Sequence, residues 1–307
     1  MKLFAPKYYK SFSCIADRCS HSCCVGWEID IDRDTLEKYS SLAGEYSDAV
    51  RASIDLDGTP HFRLCEGERC PHLDGRGLCN IIKEYGEGYL SEICREHPRF
   101  YSETPEGVEV GIGMACEEAA RIILSSDGYA EFDVIDGDFG EEPVRGRNES
   151  DFDVLSERGE IYRILSDRAR PYAERLALLS EKYGVSPASV SDGDWRELLS
   201  SLEYLNQEHK ELFSCYSGEC RARVFEPELE RALAYFVFRH VTASRTQEEL
   251  SAKLGLAMFL ESLISSVAYL QGIESREELT ELCRAVSEEL EYSEDNTEAI
   301  LGISLLS

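Results

Sequence analysis

Twelve cysteines occur in the 307 residues, and nine fall within the first 116. In order they run Cys14-x4-Cys19-x3-Cys23-Cys24, then Cys65-x4-Cys70-x8-Cys79-x14-Cys94-x21-Cys116. Thiols this dense have three physical explanations: a disulfide framework, zinc, or an iron–sulfur cluster. Disulfide frameworks belong to small secreted domains that bury too little apolar surface to fold unaided. Here 43% of the residues are hydrophobic, ample for one or two ordinary cores. The N-terminus, Met1-Lys2-Leu3-Phe4-Ala5-Pro6-Lys7, has neither the apolar run nor the cleavage site of a signal peptide. The expectation is a cytoplasmic, reducing compartment in which thiolates hold metal or do chemistry.

Zinc and iron–sulfur are separated by spacing. Structural zinc favours paired Cys-x2-Cys knuckles or short Cys/His mixtures. The closest pairs here are separated by four, three, zero and four residues, and no His-x3-5-His pair occurs. Iron–sulfur ligands are more variably spaced and often precede proline, as Cys70 precedes Pro71. Iron–sulfur therefore leads, with zinc as the alternative.

At these residues the chain resembles a family. The pattern Phe12-x-Cys14-x4-Cys19-x3-Cys23-Cys24-x2-Trp27, Cys70-Pro71-x-Leu73-x3-Gly77-x-Cys79, Cys94-Arg95-x2-Pro98-Arg99 and Cys116-Glu117-Glu118-Ala119-Ala120-Arg121 is similar to the flagellin lysine-N-methylases, a set of cysteine-cluster proteins described as zinc- or iron-chelating. The resemblance covers residues 8–124. It implies methyl transfer from S-adenosylmethionine to lysine side chains of a protein substrate, flagellin, with an iron–sulfur cluster of the 4Fe-4S type. It also implies a ligand set of Cys14, Cys19, Cys23, Cys24, Cys70, Cys79, Cys94 and Cys116, at one locus or two adjacent ones. Cys65 stands outside that pattern.

Other motifs are weaker. Val110-Gly111-Ile112-Gly113-Met114-Ala115-Cys116 running into Glu117 reads as strand, turn and helix, but no doubly wound sheet follows it. The Cys-x3-Cys-x2-Cys triplet of radical S-adenosylmethionine enzymes is absent, because Gly26 stands at its third position. Asp30, Asp32 and Asp34 lack the register of a calcium loop; Trp27 to Asp32 alternates like a strand, and Asp34 is placed to cap a helix through Tyr39. His21, His61, His72 and His97 lie among the cysteines, where partners that orient ligands are needed. Catalytic groups and the methyl-donor site are not legible.

The elements that must position the thiols follow from periodicity. The expected fold is mainly α: a cysteine-cluster metal-binding domain of short helices and loops over residues 1–128, an acidic linker or hairpin over 129–150, and a helical bundle over 151–307. Ile161 and Leu165, Leu176 and Leu179, and Trp195, Leu198, Leu199, Leu202 and Leu205 recur at helix spacing. Glu226-Pro227-Glu228 opens a further helix, and Tyr235-Phe236-Val237-Phe238 reads as core. The net charge of −28 argues against nucleic-acid binding; an acidic surface is compatible with lysine-bearing partners. No apolar run reaches the length of a membrane span. Two function classes stand: a protein-lysine N-methyltransferase, and a non-catalytic, metal-stabilised protein-binding module.

Overall fold

The computed structural model describes residues 2–135, 152–187 and 190–305. The chain forms two compact units: Ser13–Phe100, and Met1–Phe12 together with Tyr101–Ser307. The fold is mainly α, as expected. The cysteine-rich unit closes at Phe100 rather than near residue 128, because the strands after it pair with strand β1 (Leu3–Pro6) in the other unit. Most of the expected linker at 129–150 lies outside the described residues.

The unit Ser13–Phe100 is built from short pieces. These are helices α1 (Arg33–Ser40) and α2 (Ser47–Ser53), the two-stranded β2 (Ile54–Asp55) and β3 (His61–Phe62), then α3 (Asn80–Tyr85) and α4 (Glu92–Glu96). Its core is Ile29, Ile31, Tyr39, Val50, Phe62 and Ile81, joined by Cys70. Ile29 and Ile31 point inward with the alternation read from the sequence, yet the segment is no regular strand: a single bridge joins Asp30 to His61. The cap of α1 is Asp32, not Asp34. Asp32 has extended backbone angles and accepts the Thr35 amide at 2.9 Å, whereas Asp34 is already inside the first turn. The other Asp32 oxygen accepts the Glu92 amide at 2.7 Å, so one carboxylate ties the starts of α1 and α4 together.

In the second unit, β4 (Arg99–Thr104) and β5 (Gly107–Ile112) precede α5 (Glu117–Ser125) and β6 (Phe132–Ile135). The sheet order is β4-β5-β1-β6, with β1 parallel to β5 (Leu3 opposite Val108) and antiparallel to β6 (Leu3 opposite Ile135). Helices α6 (Val154–Leu165), α7 (Tyr172–Tyr183), α8 (Asp192–Ser201), α9 (Gln207–Phe213), α10 (Glu226–Phe236), α11 (Gln247–Leu270), α12 (Arg276–Val286) and α13 (Glu294–Leu305) make up the rest. The expected stripes are buried at Ile161, Leu165, Leu176, Leu179, Trp195, Leu199 and Leu202; Leu205 is exposed. Tyr235 to Phe238 are core residues. Helix α11 is long and apolar enough to cross a membrane, but 17 of its 24 residues are buried within the unit, the place of a central core helix. Two π-helical turns, Val237–Val241 and Ser287–Glu291, follow α10 and α12; such turns recur at functional sites.

Candidate metal centre

Four cysteines converge on the core of the unit Ser13–Phe100. Cys70 is buried in it, and Cys24, Cys79 and Cys94 pack against it half-buried. Burial pushes the Cys70 thiol up to about 12 against the opposing His72 amide, and thiolates at Cys24, Cys79 and Cys94 add to the rise. Burial raises Cys94 to about 11, with Cys24 and Cys79 again contributing. Cys79 is raised by burial and by Cys24, against the amides of Ile82 and Ile81. Cys24 runs the other way, lowered to about 7 by a hydrogen bond from the Cys23 thiol, with Ser22 and Arg69 helping and burial opposing. Cys23 is raised, because its proton is held between it and Cys24 and because Cys24, Cys14 and Cys94 lie close by. Six thiols thus form one electrostatic group: Cys24, Cys70, Cys79 and Cys94 inside, Cys14 and Cys23 exposed at its edge.

Local structure explains the convergence. The Cys70 amide donates to the Cys24 carbonyl at 2.8 Å. Between Cys70 and Cys79 the chain folds back through an Asp74 turn: its carboxylate accepts the Arg76 and Leu78 amides at 2.8 and 2.9 Å, and Lys83 Nζ lies 3.1 Å away. Gly77, at φ +80°, supplies the left-handed residue that closes this turn. Leu73 then bridges Cys79, which begins α3 as its N-cap. Cys94 sits on α4, held by Asp32.

The remaining expected ligands are placed differently. Cys19 Sγ donates to the His21 carbonyl at 2.9 Å. Cys116, the N-cap of α5, belongs to the helical unit, where its charge acts on Tyr292. Cys65 is exposed on a small hairpin with Arg69. No disulfide links any of the twelve cysteines. His72 is a core residue: both ring nitrogens are engaged, by Tyr46 Oη and Ser53 Oγ at 2.9 Å each, and its ring meets Phe62 edge-on. Burial holds His72 and His97 at about 4, so both are neutral. His97 packs near Trp27, whose indole N–H donates to the Cys23 carbonyl.

The chemistry of donor spacing is informative. Four thiolates at about 2.3 Å around one zinc would stand about 3.8 Å apart. Among the described residues no three cysteine sulfurs lie within 4.8 Å of one another; the trio that does is His209, Glu288 and Glu289. That trio is explained by folding. Glu289 accepts the Leu205 and Asn206 amides and lies 2.7 Å from His209 Nδ1, anchoring the start of α9, and Glu288 pairs with Arg284.

Sequence reasoning left the polar groups of the helical unit unassigned. The strand, turn and helix around Gly113 form as read, but the turn is filled. A Cβ at Gly113 would overlap the Tyr292 hydroxyl, and the Met114 amide donates to Tyr235 Oη at 3.1 Å. These are protein contacts where a cofactor loop would present open amides. Sequence reading also missed the buried glutamates Glu109, Glu230, Glu261 and Glu291. Glu109 pairs bidentately with Arg158, Glu230 with Arg175, and Glu291 with Tyr235, Ser287 and Arg239. The available signal for Glu261 was the polar set Glu261, Ser262, Ser265 and Ser266 inside an otherwise apolar helix.

Comparison with known proteins locates related chains. The flagellar biosynthetic protein FliU of Salmonella muenchen is 32% identical over 131 residues, covering 39% of this chain and 75% of that protein. Lysine-N-methylases of Salmonella typhimurium (strain LT2) and Salmonella choleraesuis are each 28% identical over 128 residues, covering 39% of this chain and 32% of theirs. The match thus spans about a third of the lysine-N-methylases' length. No family model and no solved structure matches.

Proposed function

The chain belongs to the family of FliU and the lysine-N-methylases, and on that premise we propose that it transfers methyl groups from S-adenosylmethionine to lysine side chains of a protein, flagellin. The neutral lysine nitrogen attacks the methyl carbon, the sulfur–methyl bond breaks with its electron pair retained on sulfur, and nitrogen sheds a proton. An ammonium has no lone pair, so the acceptor must first be neutral, against an ordinary pKa of about 10.4.

The observation that carries the cofactor side of this reading is the thiol group of the unit Ser13–Phe100. An all-thiol donor set is soft. Burial holds the Cys70 and Cys94 thiols high, and a bound cation would favour their thiolates. The variable spacing of these cysteines along the chain, with Cys70 preceding Pro71, favours an iron–sulfur cluster over zinc. Cys24, Cys70, Cys79 and Cys94 would hold a 4Fe-4S cluster, with Cys14 and Cys23 at its exposed edge. Held by four cysteines, such a cluster would supply a cationic scaffold for the thiolates, and the methyl donor would bind elsewhere. Around it, Asp32 fixes α4, the Asp74 turn aligns Cys70 with Cys79, and the Tyr39 and Phe62 side chains keep water from the inner thiols.

The test is anaerobic reconstitution with iron and sulfide, followed by incubation with S-adenosylmethionine and unmodified flagellin. Mass should accumulate on lysine in steps of one methyl group. A holo-protein that neither binds S-adenosylmethionine nor modifies flagellin would leave the chain a metal-stabilised binding module.

A further inference from the structure

Ser91 is the N-cap of α4, the position from which a serine oxygen ordinarily accepts the amide of the second or third helical residue. Its side chain makes no such cap bond. Ser91 is 1% exposed, and among the described residues no hydrogen bond of ordinary geometry holds its buried Oγ. A buried hydroxyl in that state is costly unless something receives its proton. The third residue of α4, within reach of an N-cap side chain, is Cys94. Burial raises the Cys94 thiol, and the Ser91 hydroxyl, lying against it as a donor to sulfur, opposes the rise. The Ser91 backbone is anchored without that hydroxyl: its carbonyl accepts the Arg95 amide at 2.9 Å, and the next amide, of Glu92, goes to Asp32 at 2.7 Å.

The other inner thiols are met in the same way. Cys70 faces the His72 amide, Cys79 the amides of Ile82 and Ile81, and Cys24 the Cys23 thiol and the Ser22 hydroxyl. Donors aimed at sulfur favour the thiolate over the thiol. We propose that Ser91 is a positioning residue of the metal centre: its hydroxyl donates to the Cys94 sulfur once that sulfur is a metal-bound thiolate, and so raises the reduction potential of the cluster. The second half rests on the iron–sulfur reading given above. A thiol sulfur is a weak acceptor, whereas a thiolate takes a charge-assisted bond, so the hydroxyl gains its full partner only when metal is bound. Reduction adds negative charge to a cluster, and a hydrogen bond to a ligating sulfur stabilises that charge. The amide donors belong to the backbone and cannot be removed singly. Ser91 can, and since its side chain caps nothing, removing it spares α4.

The experiment reconstitutes the full chain anaerobically with iron and sulfide and titrates it reductively, following the reduced cluster by electron paramagnetic resonance. At the poise that half-reduces the unaltered protein, Ser91→Ala should raise the oxidised-to-reduced ratio about threefold, which is about 28 mV at 59 mV per tenfold for one electron. Ser91→Thr keeps a hydroxyl and should return the midpoint to its original value. Without metal, Ser91→Ala should denature at the same midpoint as the unaltered chain. An unchanged potential in Ser91→Ala, or a loss of metal-free stability of the kind an ordinary cap gives, would overturn the assignment. Cadmium, competed against a chelator, supplies a readout that needs no cluster: Ser91→Ala should bind it about tenfold more weakly, as loss of a group that orients a ligand does. That difference in a chain that assembles no cluster would uphold Ser91 and sink the iron–sulfur reading; equal cadmium affinities in such a chain would sink both. Methyl transfer enters none of these readouts, so the methyltransferase reading stands or falls separately.

Discussion

At the residue scale the cysteines are not equivalent. Cys24, Cys70, Cys79 and Cys94 share one apolar core, and the charge of Cys24 acts on each of the other three. Replacing any of these four by serine should lower iron and sulfide content after anaerobic reconstitution by half or more, whereas Cys65→Ser, altering an exposed hairpin thiol, should leave it unchanged. Equal loss from Cys65→Ser would refute this ranking. Asp32 matters through two helix starts at once. Asp32→Ala should cost about 2 kcal/mol, about 1 for each lost cap, read from a chemical-denaturation midpoint. Burial would raise the Asp32 carboxyl, but the Glu92 and Thr35 amides outweigh it and hold it below the ordinary range. Its contribution is therefore complete above about pH 3.9 and fades as pH falls through its depressed folded value.

At the scale of elements, the turn from β5 into α5 and the π-helical turns decide packing. Gly113 admits the Tyr292 hydroxyl, and Arg239 stacks 4.5 Å over the Tyr292 ring. Gly113→Ala should destabilise the protein by about 1–3 kcal/mol through overpacking, and Tyr292→Leu should recover most of that loss in the double variant; additive losses would show that the clash is not the cause. His240, in the first π-helical turn, is held at about 3 by burial, with Arg239 and Lys253 adding to the effect. An unfolded histidine binds its proton near 6.5. Stability tied to His240 is thus fully present above about pH 6.5 and declines as pH falls toward 3. In His240→Gln the thermal midpoint should depend less on pH across that window.

At the scale of the molecule, the two units are stabilised by different means. The unit Ser13–Phe100 has a small core and short helices, whereas the other unit buries 17 of the 24 residues of α11. Where a site is not preformed, metal binding contributes folding free energy. Removing metal from the reconstituted protein should accordingly raise amide exchange across residues 13–100 well before residues 154–305; uniform acceleration in both would contradict it. The net charge of −28 attracts cationic segments at low ionic strength, so association with a lysine-rich substrate should weaken as salt rises.

The sequence by itself determined the mainly α fold, the helical stripes and the concentration of thiols, since periodicity and residue type act locally. It also marked Tyr235 to Phe238 as core, because a run of large apolar side chains has nowhere else to go. Tertiary structure decided what depends on distant pairing. It chose Asp32 over Asp34 as the cap, because only Asp32 also reaches the Glu92 amide. It moved residues 101–128 into the helical unit through the pairing of β1 with β5. It made His72 a core hydrogen-bonding group, and it paired the buried Glu261 with Arg221. A lone glutamate in an apolar helix reads only as an irregularity until the fold brings Arg221 to it.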